Sequence, residues 1–258
     1  MELFDSHCHL DPMRFGEELP AVLERAREAG VARLQVIGTR ASDSEAAAQL
    51  ADREAGITAA AGIHPNDAAE ADDAEWQQVV RLAESGRITA IGETGLDWYR
   101  DSCPAKRQRE MFQRHLDLAA GLGLPVVIHS RESTADVLAM LEAALAKGPL
   151  RPVLHSFTGT ADEARRAVDL GCYLGFAGMV TFRSGADLRE VAAAVPAERI
   201  LIETDSPFLS PEPLRGRRNE PAHVVHTATC LALARGESLE EFAAATTVNA
   251  RGLFDRRG

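Results

Sequence analysis

The sequence predicts an α/β protein folded as a single-domain (β/α)8 TIM barrel, and three observations lead to this prediction. Short apolar runs alternate with longer segments of helical character from one end of the chain to the other. Eight such pairs can be traced, and strict alternation of strands and helices indicates a parallel sheet. The chain has 258 residues, which is close to the ~250 residues of a complete eight-fold barrel.

The predicted strands are short, and several are β-branched without a strict polar alternation, which is typical of strands buried on both faces. They are Leu3–Asp5, Arg33–Ile37, Thr58–Ile63, Thr89–Gly92, Val126–Ile128, Val153–Leu154, Tyr173–Phe176 and Ile200–Ile202. The predicted helices between and after them are Glu17–Ala29, Ser42–Ala55, Asp73–Glu84, Ala105–Gly121, Thr134–Lys147, Ala161–Asp169, Asp187–Ala194 and Pro221–Ala234. Glycine follows five of these helices, as it does at many helix ends.

Two small domains or a doubly wound open sheet are the alternative architectures. An open sheet predicts fewer strands and a glycine-rich turn after the first strand, where this chain has Asp5-Ser6-His7-Cys8-His9. We therefore expect one barrel domain over residues 1–258. Within it, residues 237–258 form a C-terminal helical extension with two helices, Leu239–Ala245 and Thr247–Leu253.

Composition restricts the compartment and the partners. The four cysteines are far apart and form no C-x-x-C pair, so a disulfide framework or zinc knuckle is not expected. No apolar run approaches the ~20 residues of a membrane-spanning helix. We expect a cytoplasmic protein with no membrane contact and no obligate protein partner. The net charge of −11 argues against broad, non-specific nucleic-acid binding, but it does not exclude a nuclease with local positive charge.

Polar residues that follow the predicted strands carry the functional signal. In a barrel the carboxyl ends of the strands converge on one mouth, where active sites lie. These residues are Asp5, His7 and His9 after strand 1, His64 after strand 3, Glu93 after strand 4, His129 after strand 5, His155 after strand 6, and Glu203 and Asp205 after strand 8. An H-x-H pair alone is a weak signal. Packing gives no reason for five histidines at strand ends, so we predict a metal site.

The ligand types suit divalent transition metals. His7 and His9 are spaced i, i+2, which places both on one side of an extended strand. Glu93 has two oxygens and is able to bridge two metals. His129 and His155 then complete a second site, with Asp205 near the first and placed to take a proton from water. We expect Asp5 and Glu203 to support the ligands from behind rather than to bind metal.

A basic segment after strand 8 is the candidate substrate contact. Three arginines occur within four positions, and guanidinium groups match phosphate oxygens. A solvated loop is the simpler explanation for such a run, but this one follows a strand end at the mouth. The predicted substrate-binding residues are His64, Arg100, Arg131, Arg215, Arg217 and Arg218.

Six segments together resemble the TatD family of metal-dependent deoxyribonucleases, within the amidohydrolase-like barrels. They are Phe4–Leu10, Gly62–Pro65, Ile91–Asp97, Pro125–Arg131, Leu154–Gly159 and Ile202–Pro207. They occur in the family's order along the whole chain. The resemblance implies that His7, His9 and Asp205 bind one metal, that His129 and His155 bind the other, and that Glu93 bridges them.

The function implied by the resemblance is two-metal hydrolysis of phosphodiester bonds in DNA, with Asp205 and Glu93 as catalytic residues and single-stranded ends as the expected substrate. The cofactors would be two divalent cations, Zn, Mn, Mg or Co. The alternative enzyme is a metallohydrolase of carboxylic esters or amides, such as aminoacyl-tRNA esters. A binding scaffold without activity is a third possibility, which the intact ligand set disfavours.

Overall fold

The computed structural model describes residues 1–255, apart from the side chains of residues 12 and 13. Eight parallel strands neighbour one another in sequence order, from β1 to β8. They are β1 Leu3–Cys8, β2 Val31–Ile37, β3 Ile57–Ala61, β4 Ala90–Asp97, β5 Val126–Arg131, β6 Pro152–Leu154, β7 Tyr173–Phe176 and β8 Ile200–Ile202. Cys8 pairs in parallel with Ser206, and His9 N donates to Ser206 O at 2.8 Å. These contacts bring the last strand back to the first, and the predicted TIM barrel is confirmed.

Helices surround the strands. They are α1 Pro12–Phe15, α2 Leu19–Glu28, α3 Ala41–Arg53, α4 Asp73–Glu84, α5 Ala105–Leu122, α6 Thr134–Leu145, α7 Ala161–Asp169, α8 Ala186–Ala194, α9 Val224–Arg235 and α10 Leu239–Phe254. The first predicted helix was placed too early, since Gly16–Glu18 forms a 3₁₀ turn before α2. Within residues 1–255, none of the helices has the length and apolar character needed to cross a bilayer.

The predicted break in the C-terminal extension is wrong, because α10 is one continuous helix. Thr246 at the expected break is buried, and its hydroxyl donates to Phe242 O at 3.0 Å. The side chain thereby finds a partner in the preceding helical turn and leaves the backbone helical. Residues 256–258 of the predicted extension lie outside the described part of the chain.

Three strands, β1, β4 and β5, extend further at their carboxyl ends than the sequence suggested, because polar residues continue the strand beyond the last apolar position. β4 pairs with β5 as far as Asp97 opposite Arg131. Glu93 and His129 therefore lie within strands and not after them. The same is true of His7 in β1. These side chains are held by the sheet itself, which fixes their positions more firmly than a loop would.

The barrel interior is closed at one end by α10. A compact cluster of buried apolar residues takes one from nearly every strand and three from α10: Phe4, Ile37, Ala60, Ala90, Val127, Val153, Leu201, Ala250, Leu253 and Phe254. The rings of Phe4 and Phe254 lie 6.1 Å apart. Side chains alternate along a strand, so residues two positions beyond Val127 and Val153, which are His129 and His155, also face the interior. The opposite end of the barrel is thus polar.

His115 links α5 to the barrel and is fully buried. Its Nδ1–H donates to Met111 O at 2.8 Å, and its Nε2 accepts from Ile63 N at 3.0 Å. The ring meets Trp76 edge-on with centroids 4.8 Å apart. Both nitrogens are used by the neutral tautomer, and burial lowers the pKa of His115 to about 4.

We therefore expect His115 to make the protein less stable in mild acid. In the unfolded chain this imidazole gains its proton near pH 6.5, whereas in the folded chain it stays neutral down to about pH 4. The stability it contributes is complete above pH 6.5 and is lost as the pH falls, by about 2 kcal/mol at pH 5. Urea unfolding of metal-free protein at pH 7.5 and pH 5 measures this loss.

The comparison variant is His115→Gln, which keeps one donor and one acceptor but has no proton to gain. The decrease in the free energy of unfolding from pH 7.5 to pH 5 should be about 2 kcal/mol smaller in this variant, because the other titrating groups act equally in both proteins. His226→Gln on α9 controls for the removal of a histidine. If wild type and His115→Gln lose the same free energy of unfolding between pH 7.5 and pH 5, His115 is not the source of the acid sensitivity.

Candidate metal centre

The residues predicted to bind metal meet at the polar end of the barrel. His7 comes from β1, Glu93 from β4 and His129 from β5. His155 follows β6 directly, and Asp205 lies just beyond β8. The whole set is buried or nearly so, with Asp205 the most open of the carboxylates at 14% exposure of its side chain. Residues about 200 positions apart in the sequence thus share one site.

The first cluster consists of His7, His9 and Asp205, together with one oxygen of Glu93. The Nε2 atoms of His7 and His9 lie 3.2 Å apart. Asp205 Oδ1 is 3.6 Å from His7 Nε2 and 3.4 Å from His9 Nε2. Glu93 Oε2 is 3.4 Å and 3.6 Å from the same two nitrogens. Four ligand-type atoms therefore face a common centre.

The second cluster surrounds the other oxygen of Glu93. Glu93 Oε1 lies 2.8 Å from His155 Nε2, 3.1 Å from His129 Nδ1 and 3.4 Å from His64 Nε2. His155 Nε2 and His129 Nδ1 are 3.4 Å apart. The two oxygens of one carboxylate thus point at two different sets of imidazoles. This is the arrangement that a bridging ligand requires.

Neighbouring hydrogen bonds decide which imidazole nitrogens are free to bind a cation. His9 Nδ1 lies 3.1 Å from Ile37 O, and His129 Nε2 lies 3.0 Å from Asp97 Oδ2. A carbonyl or carboxylate accepts only, so the proton is on those nitrogens. The lone pairs of His9 Nε2 and His129 Nδ1 then face the two clusters, as in metal-binding histidines oriented by an acceptor behind them.

His64 has the opposite tautomer. Its Nδ1 accepts from Asn66 N at 3.1 Å, so its proton is on Nε2 and is directed at Glu93. Burial lowers the pKa of His64 further, which keeps the ring neutral. His64 is close enough to belong to a ligand group with Glu93 and His129. In this tautomer, however, it is a hydrogen-bond donor.

The donor atoms fit divalent transition-metal ions. Metal bonds of about 2.1 Å that meet at angles of 90–109° place ligand atoms roughly 3.0–3.5 Å apart, and the separations in the first cluster are 3.2–3.6 Å. Buried His7 Nδ1 and His155 Nδ1 also have no hydrogen-bond partner among the described residues. His155 Nδ1 lies 3.5 Å from Glu203 Oε1 without hydrogen-bond geometry.

The charges of the site are mutually dependent. Burial by itself raises the pKa of Glu93, but in the metal-free site the imidazoles around it, His155 foremost, hold the pKa well below its usual value when they carry protons. Asp205 behaves alike: burial is outweighed by His9 and His7, and its pKa is lowered. Both carboxylates are therefore ionised at neutral pH and available to cations.

Asp5 lies behind the first cluster and is fully buried. It accepts from Thr204 N at 2.9 Å and from Thr204 Oγ1 at 2.6 Å. Burial raises the pKa of Asp5 to about 8, against the effect of these hydrogen bonds. Thr204 precedes Asp205, which has a left-handed backbone with φ 54°. The clamp on Thr204 therefore fixes the backbone that presents Asp205.

Glu203 lies behind the second cluster and is also fully buried. Its Oε1 accepts from Ser156 N at 2.5 Å, and Ser156 has a left-handed φ of 45° directly after His155. Gly175 makes room for this carboxylate, because an added Cβ would lie 2.3 Å from Glu203 Oε2. Glu203 thus shapes the turn that carries His155.

The five arginines predicted to bind substrate are exposed. Arg215 stacks on the ring of Phe182, with its guanidinium carbon 3.8 Å from the centroid. Arg218 forms an ion pair with Glu18 and is therefore partly engaged. Arg217 hydrogen bonds through its backbone, whose carbonyl accepts from Ser210 Oγ at 2.5 Å. The prediction that this group contacts phosphate stays untested.

Asp97 is a site residue that sequence reasoning missed. Its Oδ2 accepts from His129 Nε2 and, at 3.2 Å, from Asn66 Nδ2. Its Oδ1 accepts from the backbone N–H groups of Tyr99 and Arg100 at 3.0 and 2.9 Å. Against burial, these hydrogen bonds hold the pKa of Asp97 below its usual range. The signal was present, since a strand that continues past Glu93 places Asp97 on the same side.

Asp97→Asn should weaken metal binding at the second cluster. Four N–H groups point at the two oxygens of Asp97, and an amide accepts at only one of its two ends. If its NH₂ faces His129, the imidazole proton must move to Nδ1 and the ligand lone pair is lost. We expect affinity for Zn²⁺ in the second cluster to fall by about 10- to 100-fold, measured by calorimetry on metal-free protein.

Asp101→Asn is the matched control, because it removes one carboxylate from an exposed position of the same loop. It should bind Zn²⁺ as the wild type does. Equal affinity losses in both variants would mean that general charge, and not the hydrogen bond to His129, determines binding.

Comparison with known proteins agrees with this geometry. The family model described as TatD related DNase matches residues 4–255. An uncharacterized metal-dependent hydrolase of Bacillus subtilis, YabD, is 39% identical over 254 residues, which cover 98% of each chain. The 3′-5′ ssDNA/RNA exonuclease TatD of Citrobacter koseri is 40% identical over 257 residues, again 98% of each. The crystal structure of the Escherichia coli TatD homologue YjjV is 31% identical, with a TM-score of 0.92 over 98% of both chains. The chain therefore belongs to the TatD family of metal-dependent hydrolases, within the amidohydrolase-like TIM barrels.

Proposed function

We propose that this protein hydrolyses phosphodiester bonds of DNA, at single-stranded ends, with two divalent cations. The observation that carries the proposal is the shared carboxylate: Glu93 Oε2 faces His7 and His9, whereas Glu93 Oε1 faces His129 and His155. Pairs of cations a few ångströms apart are common in nucleases and phosphatases. The relatives named as ssDNA/RNA exonucleases support the same substrate class.

In this proposal His7, His9 and Asp205 hold one cation, His129 and His155 hold the other, and Glu93 contacts both. When bound, the cations supply Lewis-acid polarisation of the phosphoryl group and lower the pKa of water. The ligand atoms tolerate zinc, manganese or cobalt, and magnesium is a further candidate for a nuclease.

Asp205 is the proposed proton acceptor. It is ionised, because its neighbours His9 and His7 lower its pKa against the effect of burial. It is also the ligand carboxylate with the greater exposure, 14% against 3% for Glu93. A water that attacks phosphorus from the mouth would therefore meet Asp205, which takes its proton.

His64 is the proposed donor to the substrate. Its Nε2–H is directed into the site, and a phosphate oxygen accepts such a hydrogen bond. Arg100, Arg131, Arg215, Arg217 and Arg218 would add positive charge around the mouth, with Arg218 reduced in this role by Glu18. A local basic rim of this kind would let a chain with net charge −11 bind a polyanion.

The free thiols fit the proposed compartment. All four cysteines are unpaired in the described chain, as expected in the reducing cytosol. A cytoplasmic location would also place the protein with its proposed substrate.

The defining experiment compares substrates with and without metal. Purified protein treated with a strong chelator should not cleave a single-stranded DNA oligonucleotide, and added Mn²⁺ or Mg²⁺ should restore cleavage. The fold should persist without metal, because the apolar cluster around Phe4 and Phe254 does not involve the ligands. A carboxylic ester and an aminoacyl-tRNA are assayed in parallel. If only the ester or the aminoacyl-tRNA is cleaved, the protein is an ester hydrolase and not a phosphodiesterase. Undiminished activity in chelated protein would reject a metal mechanism for both reactions.

Asp205→Asn tests the proton acceptor. Asparagine tolerates the left-handed backbone of position 205 and keeps one ligating oxygen, but it is not basic. We expect kcat on the oligonucleotide at saturating metal to fall at least ~10²-fold, with an unchanged or higher melting temperature. Glu212→Gln removes an exposed carboxylate from the same segment and should leave kcat unchanged. Near-native kcat in Asp205→Asn would exclude Asp205 as the base.

A further inference from the structure

Two aromatic rings at the mouth of the barrel are exposed to solvent. The chain has two tyrosines, two tryptophans and nine phenylalanines. Among residues 1–255, only Tyr99 and Phe208 of these are largely exposed, at 58% and 48%. Both lie just beyond strands that build the metal centre, Tyr99 after β4 and Phe208 after β8. An isolated exposed ring needs no explanation, but two at one functional site do.

The backbone of each of these two residues is hydrogen bonded to a residue of the metal centre. Tyr99 N donates to Asp97 Oδ1 at 3.0 Å, and the other oxygen of Asp97 holds His129. Phe208 N donates to Asp205 O at 2.8 Å. The Phe208 ring also meets the His9 ring at 71°, with centroids 6.1 Å apart. Exposed aromatic rings beside the metal centre offer a surface on which a flat ligand is able to stack.

The segments that carry the two rings leave the barrel on opposite sides of its mouth. The sheet order runs from β1 to β8 without interruption, and β8 adjoins β1 through Cys8 and Ser206. In a closed ring of eight strands, β4 and β8 are four steps apart in either direction. The two metal clusters therefore lie between Tyr99 and Phe208.

Each ring carries a guanidinium on one face. Arg131 lies 3.8 Å from the Tyr99 centroid, and Arg14 lies 4.9 Å from the Phe208 centroid. The exposed area of each ring must then come from its free face and edge. A cation behind an aromatic face and a free face in front combine stacking with attraction for a nearby phosphate.

We propose that Tyr99 and Phe208 are stacking platforms for the bases on either side of the scissile phosphate. The ligand class is single-stranded nucleic acid, because only unpaired bases expose a face to a side chain. This inference rests on the proposed phosphodiesterase function and adds a reason for strand selectivity. Duplex DNA would have to unstack its terminal bases before they reach the rings.

Fluorescence of 2-aminopurine tests the proposal, because this base analogue is quenched when it stacks. A single-stranded oligonucleotide with 2-aminopurine at its 3′ end is titrated with metal-free protein, so that no cleavage occurs. Wild type should quench the probe. Tyr99→Ala and Phe208→Ala should each raise Kd by roughly 5- to 100-fold, and the variant that removes the ring under the 3′ base should also lose the quenching. Tyr99→Phe and Phe208→Trp should retain the wild-type Kd and quenching.

Two controls make the result specific. Leu233→Ala removes an apolar side chain that is 82% exposed on α9 and should change neither Kd nor quenching. An oligonucleotide with abasic sites at its 3′ end should bind wild type and the alanine variants with similar Kd, because the bases that the rings contact are gone.

The outcomes separate this inference from the proposed function. Unchanged quenching and Kd in both alanine variants, or a wild type that neither binds nor quenches the probe, would overturn the stacking proposal. If wild type quenches the probe but cleaves no oligonucleotide after Mn²⁺ is added, the stacking proposal is supported and the phosphodiesterase function is rejected. If wild type cleaves the oligonucleotide but Tyr99→Ala and Phe208→Ala keep the wild-type Kd and quenching, only the stacking proposal is rejected.

Discussion

The buried carboxylate of Glu93 is the interaction on which the rest of the site depends. Moving an ion of this kind out of water costs several kcal/mol unless opposite charges and hydrogen bonds surround it. Here imidazoles approach both of its oxygens at 2.8–3.6 Å. Those imidazoles come from β1, β5 and the segments after β1, β3 and β6. Satisfying one charge therefore sets the relative positions of much of the barrel mouth.

The backbone around Glu93 is shaped for this purpose. Gly95 in β4 has a φ of 132°, and an added Cβ would lie 2.1 Å from His129 O. Only glycine lets β4 and β5 approach so closely, and that approach brings Glu93 to His129. Behind the ligands, Asp5, Glu203 and Asp97 hold backbone or ring positions. The geometry of the centre thus results from three layers: the shared carboxylate, the imidazoles, and the acceptors that orient them.

The sequence was sufficient for the barrel and for the group of residues at its mouth, because both follow from periodicity and order along the chain. It was insufficient for features that depend on hydrogen bonds between strands or on the tautomer of a histidine. The continuation of β4 to Asp97 is set by hydrogen bonds to β5, which apolar patterning does not report. The proton position on His64 depends on Asn66 N. The engagement of Arg218 by Glu18 joins residues 200 positions apart, and nothing local in the sequence announces it.

The helix α10 has a consequence for how a nucleic-acid substrate of the proposed kind would enter the site. Its Phe254 packs on Phe4 among the apolar side chains that fill the barrel, so the barrel is a blind cup and not a tunnel. A single-stranded nucleic acid whose end reached the closed end of the barrel would find no opening there. The nucleic acid would have to leave through the mouth by which it entered, or would move further in as its end is removed. Under the proposed function, the closed end of the barrel would limit how deep the terminus of a nucleic acid could enter.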